Sequence, residues 1–210
     1  MRKLIIILLL GWCGFAMAQS AQPLSEKESA EIEAQLTEAA LSMQTLQCRF
    51  VQQKTMAMLA EPTVSEGVMV YAAPDRLRWA YEKPYPFALV VNGEQITRIA
   101  DGKSEVVDAK SGKMYQGIVS IILGSASGRN LFDRSLFEVT LFDDGTLWKA
   151  EMTPKRRDIK RMFSQLVFRF DKKTNTINQV EMKEAGGDVT KIQFEDIRVN
   201  EAIQEFFFAQ

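Results

Sequence analysis

The residue types that usually carry chemistry are nearly missing from this chain. None of the 210 residues is histidine, which removes the commonest general base and the commonest transition-metal ligand. Two cysteines, Cys13 and Cys48, are too few for a Cys/His metal cluster. No glycine-rich loop runs from a strand into a helix in the way that phosphate binding needs. Asp101 and the pair Asp143-Asp144 are carboxylates that could share acid–base work. Each stands beside a glycine at a turn signal, where Asp ordinarily serves local backbone hydrogen bonds. Neither an enzymatic activity nor a cofactor is therefore expected, and a hydrolase using serine and carboxylates is the weakest function class. The one basic run, Lys155-Arg156-Arg157 with Lys160-Arg161, reads either as a solvated loop or as a contact for an acidic partner or lipid headgroups. A formal net charge of −1 gives no sign of nucleic-acid binding.

Large apolar side chains are left to carry function. They concentrate between Gly67 and Asp101, where short apolar runs are separated by turn signals at Ala73-Pro74-Asp75, Glu82-Lys83-Pro84 and Asn92-Gly93. Asn92-Gly93 predicts a hairpin with a type I′ turn. From Arg76 to Tyr81 the chain alternates strictly, with Leu77, Trp79 and Tyr81 on one face and Arg76 and Arg78 on the other. Phe50, Met69, Tyr71 and Phe168, with Phe170, extend the same kind of surface. Two readings stay open: a dry core between two sheets, or a half-open barrel whose concave face holds a lipid.

The elements that must position these residues are mostly strands. Eleven are expected: 46–56, 64–71, 77–81, 87–91, 95–100, 104–108, 136–142, 147–152, 162–170, 177–183 and 189–197, at the spacing of a sandwich or barrel. No βα alternation occurs, so a parallel sheet is not expected. One long helix is predicted over 25–44. Ser25 and Glu28 form a capping box, and Ile32, Leu36, Ala39, Ala40 and Met43 form an apolar stripe. Acidic residues crowd its first turns, so it is expected to pack on the sheet and not on a membrane. Gly117–Gly124 is an eight-residue apolar segment between glycines, read as a short helix on a hinged loop, with Ile118, Ile121 and Ile122 on one face. It is the expected lid.

The chain start carries an address. Arg2 and Lys3 precede an apolar run over 4–15 and the small-x-small site Ala16-Met17-Ala18. This is the pattern of a cleaved signal peptide over 1–18, with the run too short for a comfortable membrane span. A single exported domain over 19–210 follows. Cys48 is then unpaired and reads as a small buried residue of the first strand, with a reactive thiol as the alternative. Phe206-Phe207-Phe208 near the C-terminus is expected to dock on the sheet.

These features resemble the LolA family of periplasmic outer-membrane lipoprotein carriers. Phe50-Val-Gln-Gln-Lys54, Gly67-x-Met69-x-Tyr71 with Pro74, Leu77-x-Trp79-x-Tyr81, Leu89-Val-x-Asn92-Gly93 and Thr153-Pro154-Lys155 fit its pattern in order and spacing. The family commonly has arginine before Pro74, where its side chain holds the lid; here Ala73 stands. The resemblance implies a mainly β fold with some α. Its core is an unclosed antiparallel half-barrel, with an N-terminal helix and short lid helices over a concave apolar face. It implies a periplasmic monomer that binds lipoprotein acyl chains, or another lipid, at Phe50, Met69, Tyr71, Leu77, Trp79, Tyr81, Leu89 and Phe168. An inner-membrane releasing transporter and an outer-membrane acceptor are the implied partners. A periplasmic sensor or interaction module using the same half-barrel is the competing reading.

Overall fold

A computed structural model of the chain describes residues 21–59, 61–107 and 131–209. The expected signal peptide (1–18) and the expected lid residues Ile118, Ile121 and Ile122 lie outside them.

The first helix is α1 (Glu26–Leu41). Ser25 caps it: its side chain accepts from the Glu28 N–H while Glu28 reaches back to the Ser25 N–H, which is the expected capping box. The helix ends three residues earlier than expected, at Ser42, whose hydroxyl donates to the Ala39 carbonyl at 2.8 Å. Leu36 and Ala40 of its stripe are buried, and Met43 follows them just past the helix end.

All eleven expected strands form, and a two-residue strand precedes them. In chain order they are β1 (Gln22–Pro23), β2 (Thr45–Thr55), β3 (Thr63–Ala72), β4 (Arg76–Lys83), β5 (Phe87–Asn92), β6 (Gln95–Ala100), β7 (Lys103–Val106), β8 (Phe137–Asp144), β9 (Leu147–Pro154), β10 (Phe163–Asp171), β11 (Ile177–Glu184) and β12 (Val189–Val199). They make one antiparallel sheet in the order β1-β8-β9-β10-β11-β12-β2-β3-β4-β5-β6-β7. Its end strands β1 and β7 do not pair with each other, so the sheet is an unclosed half-barrel. The reading of a core between two sheets is thereby corrected: the core lies between the concave face of one sheet and α1. The two longest strands, β12 and β2, pair at the middle and join the early and late halves of the chain.

The turns differ from expectation in one place. The Asn92-Gly93 hairpin forms, but Asn92 is the last strand residue, paired with Gln95. Only Gly93 has a positive φ, 61°. That is the requirement of a type II′ turn, with Gly at the first central position, and not of type I′. Positive φ at both central residues occurs instead at Asp101 (52°) and Gly102 (69°), between β6 and β7. The Asp143-Asp144-Gly145 carboxylates do turn and ion-pair work. Asp143 accepts from the Gly145 N–H at 3.0 Å and from Lys172 at 2.6 Å, and Asp144 pairs with Arg169 at 3.3 Å.

The convex face is covered in part by the C-terminal 3₁₀ turn Glu205–Phe208. Phe208 is buried against Val70 and Ala72. Arg76 lies over the Phe208 ring at 4.7 Å and pairs with Glu205 at 2.7 Å. The expected docking of the phenylalanine run therefore occurs, with Phe206 left exposed.

Candidate functional site

The concave face is built by strand register. Phe50 on β2 stands opposite Gly67 on β3, and Gly67 stands opposite Tyr81 on β4. Met69 pairs with Trp79, Tyr71 with Leu77, and Leu89 of β5 with Trp79 on its other side. Because side chains alternate along each strand, this register turns Phe50, Met69, Tyr71, Leu77, Trp79 and Leu89 to one face. Phe168 arrives from β10, paired with Ala150 and Val180. These seven and the partly buried Tyr81 belong to one apolar cluster.

Gly67 makes the aromatic part of the face possible. A Cβ built there would stand 2.1 Å from the Ala80 carbonyl oxygen and 2.5 Å from the Phe50 ring. The space a side chain would take is occupied by Phe50, whose ring crosses β3 to stack on Trp79, with centroids 4.1 Å apart. Phe50 also meets Tyr81 edge-on, and Tyr81 stacks on Phe87 at 4.6 Å. The stack ends in a polar contact: the Tyr81 hydroxyl donates to Gln52 Oε1 at 2.9 Å. Burial raises the Tyr81 pKa above its ordinary value.

Helix α1 closes the face. Under it lies a cavity of about 50 Å³, lined by Leu36, Ala40 and Met43 from the helix side and by Cys48, Met69, Phe168, Phe170 and Phe194 among the sheet residues. Of the eight expected lipid-binding residues, only Met69 and Phe168 line this cavity; the other six are packed beside it. Sequence reasoning missed the helix side of the site. Leu36, Ala40 and Met43 were read only as the packing stripe of α1, and Leu131 carried no signal at all.

Cys48 lies in the cavity wall and is buried. Desolvation pushes its thiol pKa up to about 12, so it is an inert thiol, as read from the sequence. The polar attachments of α1 are few. Glu33 pairs with Arg134 and Gln35 donates to Asn175 Oδ1 at 3.3 Å; just beyond the helix the Gln44 carbonyl accepts from the Ala73 N–H at 2.8 Å, and Asn200 accepts from the Gln44 N–H at 2.7 Å and donates to the Ser42 carbonyl at 3.4 Å. Among the described residues, no buried side-chain polar atom lacks a hydrogen-bond partner, and no helix is long and apolar enough to cross a membrane.

Comparison with known proteins places these features in context. A family model described as "Outer membrane lipoprotein carrier protein LolA" matches residues 41–210. The chain is 28% identical over 173 residues to an outer-membrane lipoprotein carrier protein of Dechloromonas aromatica, covering 80% of this chain and 78% of that one. It is 26% identical over 192 residues to one of Chromobacterium violaceum, covering 91% and 89%. A protein of the same description from Methylobacillus flagellatus matches at 27% over 144 residues, which span 68% of this chain and 66% of its own length. Among solved structures, the Mycobacterium tuberculosis lipoprotein LppX superposes with a TM-score of 0.52 at 10% identity, covering 86% of this chain and 99% of that one. MucB does so at 0.51 and 12% identity, covering 89% and 64%. At such identities the two structures show a shared fold.

Proposed function

Since the chain belongs to the LolA family of outer membrane lipoprotein carrier proteins, a family of carriers and not of enzymes, we propose that it is a periplasmic carrier. It takes lipoprotein acyl chains onto the concave face of its half-barrel and moves them from the inner to the outer membrane. A transporter in the inner membrane hands cargo over, and an acceptor at the outer membrane receives it. The observation that carries this reading is the continuous apolar face from Phe87 to Phe168, open at the sheet edges and covered by a helix with few polar attachments.

The empty form is filled. A cavity of about 50 Å³ cannot admit an acyl chain, so loading requires α1 to give up its place over Phe168, Phe170 and Met69. Acyl burial is worth about 0.8 kcal/mol per CH₂, enough over a long chain to replace the contacts of Leu36, Ala40 and Met43. The same helix, returning, supplies the competing state that lets cargo leave. The eight residues Phe50, Met69, Tyr71, Leu77, Trp79, Tyr81, Leu89 and Phe168 are the proposed lining of the loaded groove.

Native mass spectrometry after exposure to lipoprotein, together with displacement of a fluorescent fatty acid, tests the proposal. Retained lipid and a saturable displacement curve are expected. A protein that retains no lipid and displaces no probe is not a carrier of acyl chains.

A further inference from the structure

Antiparallel pairing sends the connections of the sheet alternately to its two ends. One end gathers the β2–β3 connection (56–59 and 61–62), the β4–β5 connection (84–86), the β6–β7 turn (101–102), the β9–β10 connection (155–162) and the β11–β12 turn (185–188). Three of these are hydrogen-bonded in a row. The Ala185 N–H donates to the Met162 carbonyl at 3.0 Å, and the Ala57 N–H donates to Asp188 Oδ1 at 3.0 Å. They make a continuous ledge.

The ledge has an unusual composition. Its β9–β10 part carries Lys155, Arg156, Arg157, Lys160 and Arg161 around the single helical turn α2 (Arg157–Lys160), all exposed. Ile159, on the same turn, packs against the core and fixes the basic residues in place. Arg156 is paired with Asp158. Arg157, Lys160 and Arg161 have no acidic partner among the described residues. The acids of the neighbouring turn, Glu184 and Asp188, are already engaged by Lys54 at 2.9 and 3.6 Å, and Glu61 of the β2–β3 connection and Asp101 of the β6–β7 turn remain at the same end. Large apolar side chains stand exposed along the same end: Met162 next to Arg161, then, beyond the β11–β12 turn, Met58 at 97% and Leu59, and further along Tyr85 at 81%. The opposite end carries Asp75, Glu94, Asp143, Asp144 and Asp171 at its turns, with Asp143 engaged by Lys172 and Asp144 by Arg169.

We propose that this ledge docks the protein on an anionic phospholipid surface, with Arg157, Lys160 and Arg161 on the headgroups and Met58, Leu59 and Tyr85 entering the interface. Cations and protruding apolar side chains at one end of the sheet match both layers of such a surface, whereas an acidic peptide would account for the cations only. Headgroup attraction works locally and over about a Debye length, so the overall negative charge does not oppose it. The proposal rests on the carrier reading, since it gives the site at which a lipid-borne cargo is met, but it is tested apart from it.

Co-flotation of the protein with phosphatidylglycerol-rich and with phosphatidylcholine vesicles is the experiment. An apolar leader left on the chain would bind both alike, so the difference between the two vesicles is the readout. Preferential binding to the anionic vesicles is expected, lost at high salt. The variant Arg157→Gln/Lys160→Gln/Arg161→Gln should weaken it on the order of 100-fold, and Met58→Ser/Leu59→Ser by roughly ten-fold. Neither should change displacement of a fluorescent fatty acid, because none of these residues lines the groove. Equal binding to both vesicles, or an unaffected triple variant, overturns the proposal while leaving the carrier reading intact. Tighter binding to polyglutamate than to the anionic vesicles overturns it in favour of an acidic protein partner. Loss of fatty-acid displacement by the wild type would count against the carrier reading alone.

Discussion

Leu36→Ala separates a helix that merely packs from one that competes with cargo. Leu36 is 1% exposed and lines a cavity that already exists beside it. Truncation therefore enlarges a void that the rigid sheet wall cannot close. Buried Leu→Ala changes cost about 2–5 kcal/mol, rising with the residual cavity; a site with a void in place belongs near the middle, at about 3 kcal/mol. This should appear in urea unfolding as a lower midpoint with unchanged slope. In the loaded form α1 no longer fills the groove, and the truncated side chain costs little there. The same substitution should then raise affinity for a fluorescent fatty acid, with a ceiling of roughly 100-fold set by the same 3 kcal/mol. Stability and affinity move in opposite directions only if α1 and the acyl chain occupy one surface. An affinity that is unchanged or reduced, with stability lowered, would mean that α1 stays docked in the loaded protein and that the loading step argued above is wrong.

Gly67→Ala should destabilise by about 1–3 kcal/mol or more, since the new methyl meets the Ala80 carbonyl and the Phe50 ring; thermal unfolding measures it, and a neutral effect would contradict the packing described. Cys48 should resist a maleimide reagent at pH 8 in the empty protein and react faster when fatty acid is present, as followed by mass spectrometry, because the thiol lies under α1. Asp171 and Asp143 have pKa values lowered below 3.8, the first by backbone N–H groups of Thr174 and Lys173, the second by Lys172. A depressed carboxylate stabilises above its unfolded value and stops doing so as pH falls through its folded one, so urea midpoints should drop below about pH 3.8, and less steeply in Asp171→Asn. Affinity for fatty acids should climb about four-fold per added CH₂ once the chain is long enough to displace α1, read by competition over a series of chain lengths.

Strand existence was written in short-range signals. Alternation over Arg76–Tyr81 placed Leu77, Trp79 and Tyr81 on the concave face, and the capping box fixed the start of α1. Turn geometry was less legible, because Asn92-Gly93 suits two hairpin registers and the pairing of Asn92 with Gln95 is settled only when β5 and β6 meet. The central role of Gly67 was hidden as well: the sequence marks a glycine in a strand, but its cause is a phenylalanine seventeen residues earlier crossing the sheet. The site was half legible for a related reason. Strand residues advertise an apolar face, yet nothing local says that Leu36, Ala40 and Met43 will lie against it and not against some other face of the sheet.

Ala73 bears on how that helix is held. In the family it resembles, an arginine at this position holds the lid through side-chain hydrogen bonds. Here the Ala73 methyl packs with the apolar cluster, and its N–H donates to the Gln44 carbonyl just past the end of α1. Among the described residues, Glu33 with Arg134 and Gln35 with Asn175 are single contacts, each worth about 1 kcal/mol, and Asn200 holds the chain at the helix end, accepting from the Gln44 N–H at 2.7 Å and donating to the Ser42 carbonyl at 3.4 Å. Burial of Leu36, Ala40 and Met43 exceeds them, at about 1.5–3 kcal/mol for a fully buried large apolar side chain. The empty state is thus held mainly by non-directional contacts. On the carrier reading proposed above, an acyl chain replaces such contacts one methylene at a time. The open groove expected from the sequence then corresponds to the apolar surface that α1 covers in the empty protein, and on the carrier reading cargo takes the place of the helix.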